Sequence, residues 1–173
     1  MSYAIRRLTG ADADAYRLVR LEALRDHPES YGSSAKSFAQ TGRADNAALL
    51  DRMAFFGAFA DGQLGGIVAF GQTEGERQKH IGWVYQVYVA PRLRGTGAAL
   101  ALMEAVVDHA RGHVLQLHLG VGAHNAPAIR LYEKAGFQIY GTEPRSLYVN
   151  GRYIDEHMMV RFLDEAPGKT EHD

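Results

Sequence analysis

Apolar positions recur along this chain with two periods, one near two residues and one near 3.6. Tyr3, Ile5 and Leu8 predict a short strand with these side chains inward. After Thr9, the residues Ala15, Leu18, Val19 and Ala23 recur at helical spacing as far as His27-Pro28. A Ser/Gly-rich loop, Glu29 to Ser34, leads to a weaker helical pattern over Arg43 to Arg52. Short apolar runs follow, Ala54 to Ala60 and Leu64 to Gly71, split by Asp61-Gly62, a hairpin signal. A long strand, His80 to Val89, is expected to carry Trp83, Tyr85, Val87 and Val89 on one face before Pro91 stops it. Beyond it the pattern predicts a helix from Gly97 to Arg111, a strand from Val114 to Leu119, and a helix from Asn125 to Ala135 with Pro127 in its first turn. Gly136 is placed to stop that helix, and Phe137 to Gly141 and Tyr153 to Arg161 read as closing strands. Hairpins followed by strand–helix alternation predict one α/β (α+β) domain, its sheet largely antiparallel with at least one parallel pair.

Composition narrows the function classes. Lys plus Arg number 19 and Asp plus Glu 20, a balance that argues against a protein that wraps nucleic acid. With no cysteine there can be no disulfide, thiolate metal site or cysteine nucleophile. The eight histidines show no close metal-ligand spacing, so no metal is expected. The start, Met1 to Arg7, lacks the apolar run of a signal peptide, and no stretch approaches the ~20 residues of a spanning helix. A cytoplasmic protein without a membrane partner is therefore expected.

The densest chemical signal is Val87-Tyr88-Val89-Ala90-Pro91-Arg92-Leu93-Arg94-Gly95-Thr96-Gly97-Ala98-Ala99-Leu100. A strand ends, the chain turns through two glycines and a helix begins. Amides at such a turn converge and the helix dipole adds positive potential, which suits a phosphate. Arg92 and Arg94 stand where they could clamp a diphosphate. The same glycines equally suit a plain tight turn. A P-loop is excluded because no Lys follows Gly97. A dinucleotide fingerprint fits poorly, because the sixth position is Leu100 and the next strand ends in Leu119-Gly120 without an acid.

The remaining pattern is Arg-x-x-Gly-x-Gly/Ala, met by Arg94 to Ala99 and, in an overlapping frame, by Arg92 to Gly97. Downstream, Asn125-Ala126-Pro127-Ala128-Ile129-Arg130-Leu131-Tyr132-Glu133-Lys134-Ala135-Gly136-Phe137 fits Asn-x-x-Ala-x-x-Leu-Tyr-x-x-x-Gly-Phe. With these two signatures in order, the chain resembles the GNAT superfamily, the acetyl-CoA-dependent N-acetyltransferases. Asn125 and Tyr132 are two helical turns apart, so they share a face with Ala128. Spacing alone also allows Tyr132 to be a packing residue beside Leu131.

The resemblance implies a single acetyltransferase domain over residues 1–163, with about six or seven strands and about four helices, followed by a disordered polar tail, 164–173. It implies acetyl-CoA as cosubstrate and direct acetyl transfer to a primary amine of a small molecule in a ternary complex. Absence of cysteine removes a cysteinyl acyl-enzyme and favours that route. The backbone of Val87, Tyr88 and Val89 would pair with the pantetheine arm, with the Val87 N–H polarising the thioester carbonyl. Amides of Arg94, Gly95, Thr96, Gly97, Ala98 and Ala99 would hold the diphosphate. Asn125 and Ala128 would flank the arm, and Tyr132 would act as general acid on the CoA sulfur.

The base stays open among Glu22, Glu29, Glu74, Glu76, His118, Asp155, Glu156 and a water chain. Acceptor choice is expected from Glu29 to Ser34, from Gln72 to Lys79, and from a C-terminal hairpin that turns at Asn150-Gly151. The competing functions are a protein or peptide N-acetyltransferase and a non-catalytic CoA-binding module. The apolar content of Phe55 to Phe59 and of Met158 to Val160 allows a homodimer.

Overall fold

The computed structural model describes residues 2 to 164. The tail expected from Asp164 onward lies, apart from Asp164 itself, outside the described residues. Seven strands form one sheet: β1 (Ala4–Arg7), β2 (Ala54–Ala60), β3 (Gln63–Gln72), β4 (Ile81–Val89), β5 (Gln116–Gly122), β6 (Gln138–Val149) and β7 (Arg152–Phe162). Their order is β1-β2-β3-β4-β5-β7-β6. Among the described residues only the β4–β5 pair is parallel. The helices are α1 (Ala13–Asp26), α2 (Ala35–Ala39), α3 (Arg43–Arg52), α4 (Ala98–Ala110) and α5 (Ala126–Lys134).

Two cores cover the two faces of the sheet. On one face, α4 and α5 pack on Val68, Phe70, Val84, Leu117, Leu119 and Met159. On the other, α1 lays Tyr16, Val19 and Ala23 against Phe55, Ile67, Ala69 and Tyr88. Leu18 points to solvent and is 72% exposed, because two residues of helical rotation from Tyr16 carry it to the outer side. Leu8 is buried, but on the α1 face, whereas Tyr3 and Ile5 lie on the α4 face. Both hairpin signals fold as tight turns, with positive φ at Asp61 and Gly62 and at Asn150 and Gly151. Phe55, Ala58, Met159 and Val160 are used up by the protein's own interior, so they offer no surface to a second copy.

One expectation fails instructively. Trp83, Tyr85, Val87 and Val89 do not share a face. Gln86 adopts φ 55°, and the register shifts there, with Ala69 opposite Tyr85 but Ile67 opposite Tyr88. This bulge reverses the alternation. Trp83, Tyr85 and Tyr88 therefore face α1, while Val84, Val87 and Val89 face α4. Left-handed backbone at a residue other than glycine costs roughly 1–3 kcal/mol. Two phenols hold it in place: Tyr16 Oη donates to Gln86 Oε1 at 2.8 Å and Tyr31 Oη donates to the Val87 carbonyl at 2.9 Å.

The parallel pairing stops shortly before the bulge. β4 and β5 are in register only at Ile81–Gln116, Gly82–Leu117 and Trp83–His118. From Val84 onward the strands separate, and the sheet is split.

Candidate active site

The split opens into a cleft of about 1050 Å³. Its walls are the bulged part of β4, the end of β5, the first turn of α5, and the segment after α1. Val87, Tyr88, Val89, Arg94, Ala99, Asn125, Ala128 and Tyr132, all singled out from the sequence, line it. Gly95, Thr96, Gly97 and Ala98 form the adjoining turn rather than the lining.

That turn is built by its residue types. Gly97 caps α4 with φ 86° and Gly95 has φ 75°, values that glycine adopts without steric cost. Thr96 latches the turn from inside: its Oγ1 donates to the Leu93 carbonyl and accepts from the Ala98 amide. The Arg94 amide donates to the Pro91 carbonyl. Two of the six amides expected to hold a phosphate, those of Arg94 and Ala98, are thus engaged within the protein. The amides of Gly95, Thr96, Gly97 and Ala99, with that of Leu100, have no protein acceptor among the described residues. Free amides at a helix N-terminus make an anion site.

Arg92 does not join Arg94. Its guanidinium donates to the Leu64 carbonyl behind the sheet, because the turn Pro91–Leu93 rolls it away from the cleft. Arg94 remains at the mouth, within hydrogen-bond reach of the Val89 carbonyl and 3.2 Å from His27 Nε2.

Asn125 is the N-cap of α5, and its Oδ1 accepts from the Ala128 amide at 3.2 Å. The cap holds the side chain in place and leaves its Nδ2 donors unused among the described residues. Two turns on, Tyr132 is 8% exposed, and its hydroxyl has no protein partner among the described residues. Burial, reinforced by Tyr31, pushes this phenol well above the ordinary tyrosine range. Tyr31 itself is pushed up to about 12 by burial, against the opposing pull of Arg20.

The candidate bases separate cleanly. Glu29 and Glu156 line the cleft. Glu22 is instead engaged by the Tyr88 hydroxyl at 2.8 Å, outside it. Glu74 and Glu76 sit exposed on a loop that does not reach the cleft. Asp155 accepts from the Arg145 amide on the outer ribbon. His118 is packed between Trp83 and Tyr140, beside Gln116, and burial lowers its pKa. Glu143, opposite Glu156 on β6, and Arg20, on α1, line the cleft without having been singled out from the sequence. Of the expected acceptor loops, Glu29 to Ser33 and the C-terminal hairpin contribute to the walls, and Gln72 to Lys79 does not.

Glu156 lies over Gly120, and its Oε1 accepts a hydrogen bond from Ser146 Oγ. A Cβ on Gly120 would lie 3.4 Å from Glu156 Oε2. Glu156 and Gly120 are on the α1 face, since their neighbours Leu119, Val121 and Met159 point into the α4 core. Tyr132 and the glycine turn belong to the α4 face. The cleft therefore joins the two faces through the split, with an anion site and a phenol on one side and carboxylates on the other.

Comparisons with known proteins agree with this picture. The profile of the Acetyltransferase (GNAT) family matches residues 17–137. Mycothiol acetyltransferase of Acidothermus cellulolyticus is 33% identical over 146 residues, 78% of this chain and 44% of that protein. The Escherichia coli L-amino acid N-acetyltransferase AaaT is 32% identical over 106 residues, 60% of this chain and 65% of that protein. The chain thus spans less than two thirds of the length of either relative. The fold of yncA from Salmonella typhimurium, solved with its cofactor acetyl-CoA, superposes with a TM-score of 0.83 at 22% identity over 99% of both chains. With two signatures, a split sheet and a family profile over most of its length, the chain belongs to the GNAT acetyltransferase family.

Proposed function

We propose that this protein transfers an acetyl group from acetyl-CoA to a primary amine of a small molecule, by direct attack in a ternary complex. The observation that carries this reading is the split between β4 and β5, which connects a free-amide turn on one face to a carboxylate-lined chamber on the other. Two substrates can then occupy opposite ends of one cleft and meet at the bulge.

The residues present fit acetyl-CoA. The free amides of Gly95, Thr96, Gly97 and Ala99, with Arg94, suit a diphosphate. The bulged strand leaves Val87 without a register partner on β3 or β5, its carbonyl taken by the Tyr31 hydroxyl. Ala128 leaves a narrow passage beside Asn125. The thioester supplies an activated acyl group. The amine nitrogen forms a bond to the carbonyl carbon, the carbon–sulfur bond breaks, Tyr132 gives its proton to the departing thiolate, and Glu156 takes a proton from the amine. The Val87 N–H is assigned to the carbonyl oxygen, where a fixed dipole stabilises developing charge.

Release of free CoA thiol with a panel of amines tests the activity, and intersecting double-reciprocal lines test the ternary complex. Acetyl-CoA binding without turnover on any amine or peptide would refute the first, and parallel lines would refute the second. Peptides outcompeting small amines would move the assignment to protein acetylation.

Two substitutions probe the two ends. Gly97→Val forces a branched side chain into left-handed backbone, at a cost of roughly 1–2 kcal/mol. Its KM for acetyl-CoA should rise about tenfold with kcat little changed, and a kcat loss at constant KM would contradict this placement. Glu156→Gln should lower kcat/KM about tenfold at pH 7 and recover as pH rises and free amine forms unaided. A pH-independent loss would make Glu156 a positioning residue.

A further inference from the structure

On the basis of the acetyl-transfer reading, we infer that the acceptor amine carries a carboxylate, as an α-amino acid does, and that Arg20 binds it. Arg20 is 4% exposed, lies on the inward side of α1 and lines the cleft. It makes no ion pair and no hydrogen bond among the described residues, and its Nη1 is buried with no partner. The Tyr31 ring lies 4.6 Å from its Cζ, and the Tyr16 phenol is also close enough to act on its charge. A neutral ring does not discharge a guanidinium, and taking one out of water is costly without a counter-ion.

The charge distribution of the chamber completes the argument. Arg20 sits on α1, on one face of the sheet, whereas the glycine turn leads into α4 on the other. Glu156 and Glu143, paired across β6 and β7, line the same cleft, as does Glu29 just after α1. A buried cation and carboxylates in one cleft match a zwitterion, its carboxylate on Arg20 and its amine toward Glu156. Arginine's planar fork suits a carboxylate better than a lysine would. A simple alkylamine or polyamine would leave Arg20 unanswered.

Matched series of amino acid, amino-acid amide and decarboxylated amine, built on the leucine, methionine, phenylalanine and glutamate side chains, provide the test. In the wild type, kcat/KM for the best amino acid should exceed that for its amide about 10- to 100-fold, the scale of a charge-assisted hydrogen bond. Arg20→Met should bring that ratio close to one without changing the KM for acetyl-CoA. Arg20→Lys should retain part of it. Because Arg20 has no ion pair or side-chain hydrogen bond to lose among the described residues, the Tm of Arg20→Met should hold or rise, whereas a merely structural Arg20 would make it fall. A wild-type ratio near one, or an unchanged ratio in either variant, overturns the inference.

The chain's single tryptophan, Trp83, lines the cleft and reports binding by fluorescence without turnover. Binding of the carboxylated compounds that Arg20→Met abolishes, with no amine acetylated, would keep the Arg20 site and remove the transferase reading. Turnover of amides and amino acids alike would do the reverse.

Discussion

Tyr132→Phe should lower kcat about 100-fold while leaving the KM for acetyl-CoA within about twofold. The expectation rests on a phenol that the fold isolates. Its ring is packed 6.5 Å from Phe137, its hydroxyl has no protein partner among the described residues, and α5 holds it on the cleft wall. Phenylalanine preserves the packing and removes only the proton. The size of the effect sits at the low end for general acids for a physical reason. Burial raises the phenol's pKa, so Tyr132 is a weaker acid than usual toward a thiolate whose own pKa is about 8.5. The same shift sets the pH behaviour. A raised pKa keeps the protonated, donating form present throughout the neutral range, and it is lost only above the ordinary tyrosine value near ~10. Wild-type kcat should therefore show no alkaline fall from this residue below about pH 10. An unchanged kcat in Tyr132→Phe, with product release shown not to limit the rate, would remove the general-acid role and leave Tyr132 as wall.

Phe55→Ala should cost about 3–5 kcal/mol of stability, read as a lower urea midpoint at unchanged m-value. Phe55 is fully buried on the α1 face and packs edge-on against Tyr16, with ring centres 5.3 Å apart. Tyr16 in turn packs against Phe38 and donates to Gln86 at the bulge. The cavity would thus remove apolar contacts and loosen the clamp on the strained residue of the bulge. A second consequence follows: the variant should lose kcat beyond its loss of folded protein, measured at a temperature where it remains native. Full activity per folded molecule would show that the bulge does not need this support.

Local signals explain why much of the architecture was legible. Asp61-Gly62 and Asn150-Gly151 are turns whose backbone angles depend on two adjacent residues, and both hairpins form there. The helix over Arg43–Arg52 and the strand over Ala54–Ala60 have the bounds that periodicity and punctuation imply. Gly97 and Gly136, each with positive φ, begin and end helices as their positions require. α2 escaped notice because five residues carry too little periodicity, although Ser34 caps it. β6 runs past Gly141 to Val149, its pairing with β7 interrupted at Pro144 to Ser146, where Arg145 is left-handed, and resumed from Leu147 to the turn at Asn150-Gly151.

The site divides along the same line. Its cofactor half is written in contiguous residues: a glycine turn at a strand–helix junction, and an Asn, an Ala and a Tyr at helical intervals. Such features depend on backbone geometry within a turn or two, so their order along the chain suffices. Its proposed acceptor half draws on α1, the bulge of β4, β6 and β7, segments spread over more than a hundred residues, and no local pattern marks Arg20 or Glu143 as neighbours. The bulge at Gln86 was equally hidden, because it exists through the hydroxyls of Tyr16 and Tyr31 and through a one-residue register shift against β3. Two arginines two residues apart had opposite fates for the same reason, Arg92 tied to Leu64 and Arg94 left at the mouth. Short-range chemistry thus sufficed to name the family and to single out the residues proposed for the donor end of the cleft. Which charges face the acceptor depended on long-range packing, where burial and strand register choose among side chains that look alike along the chain.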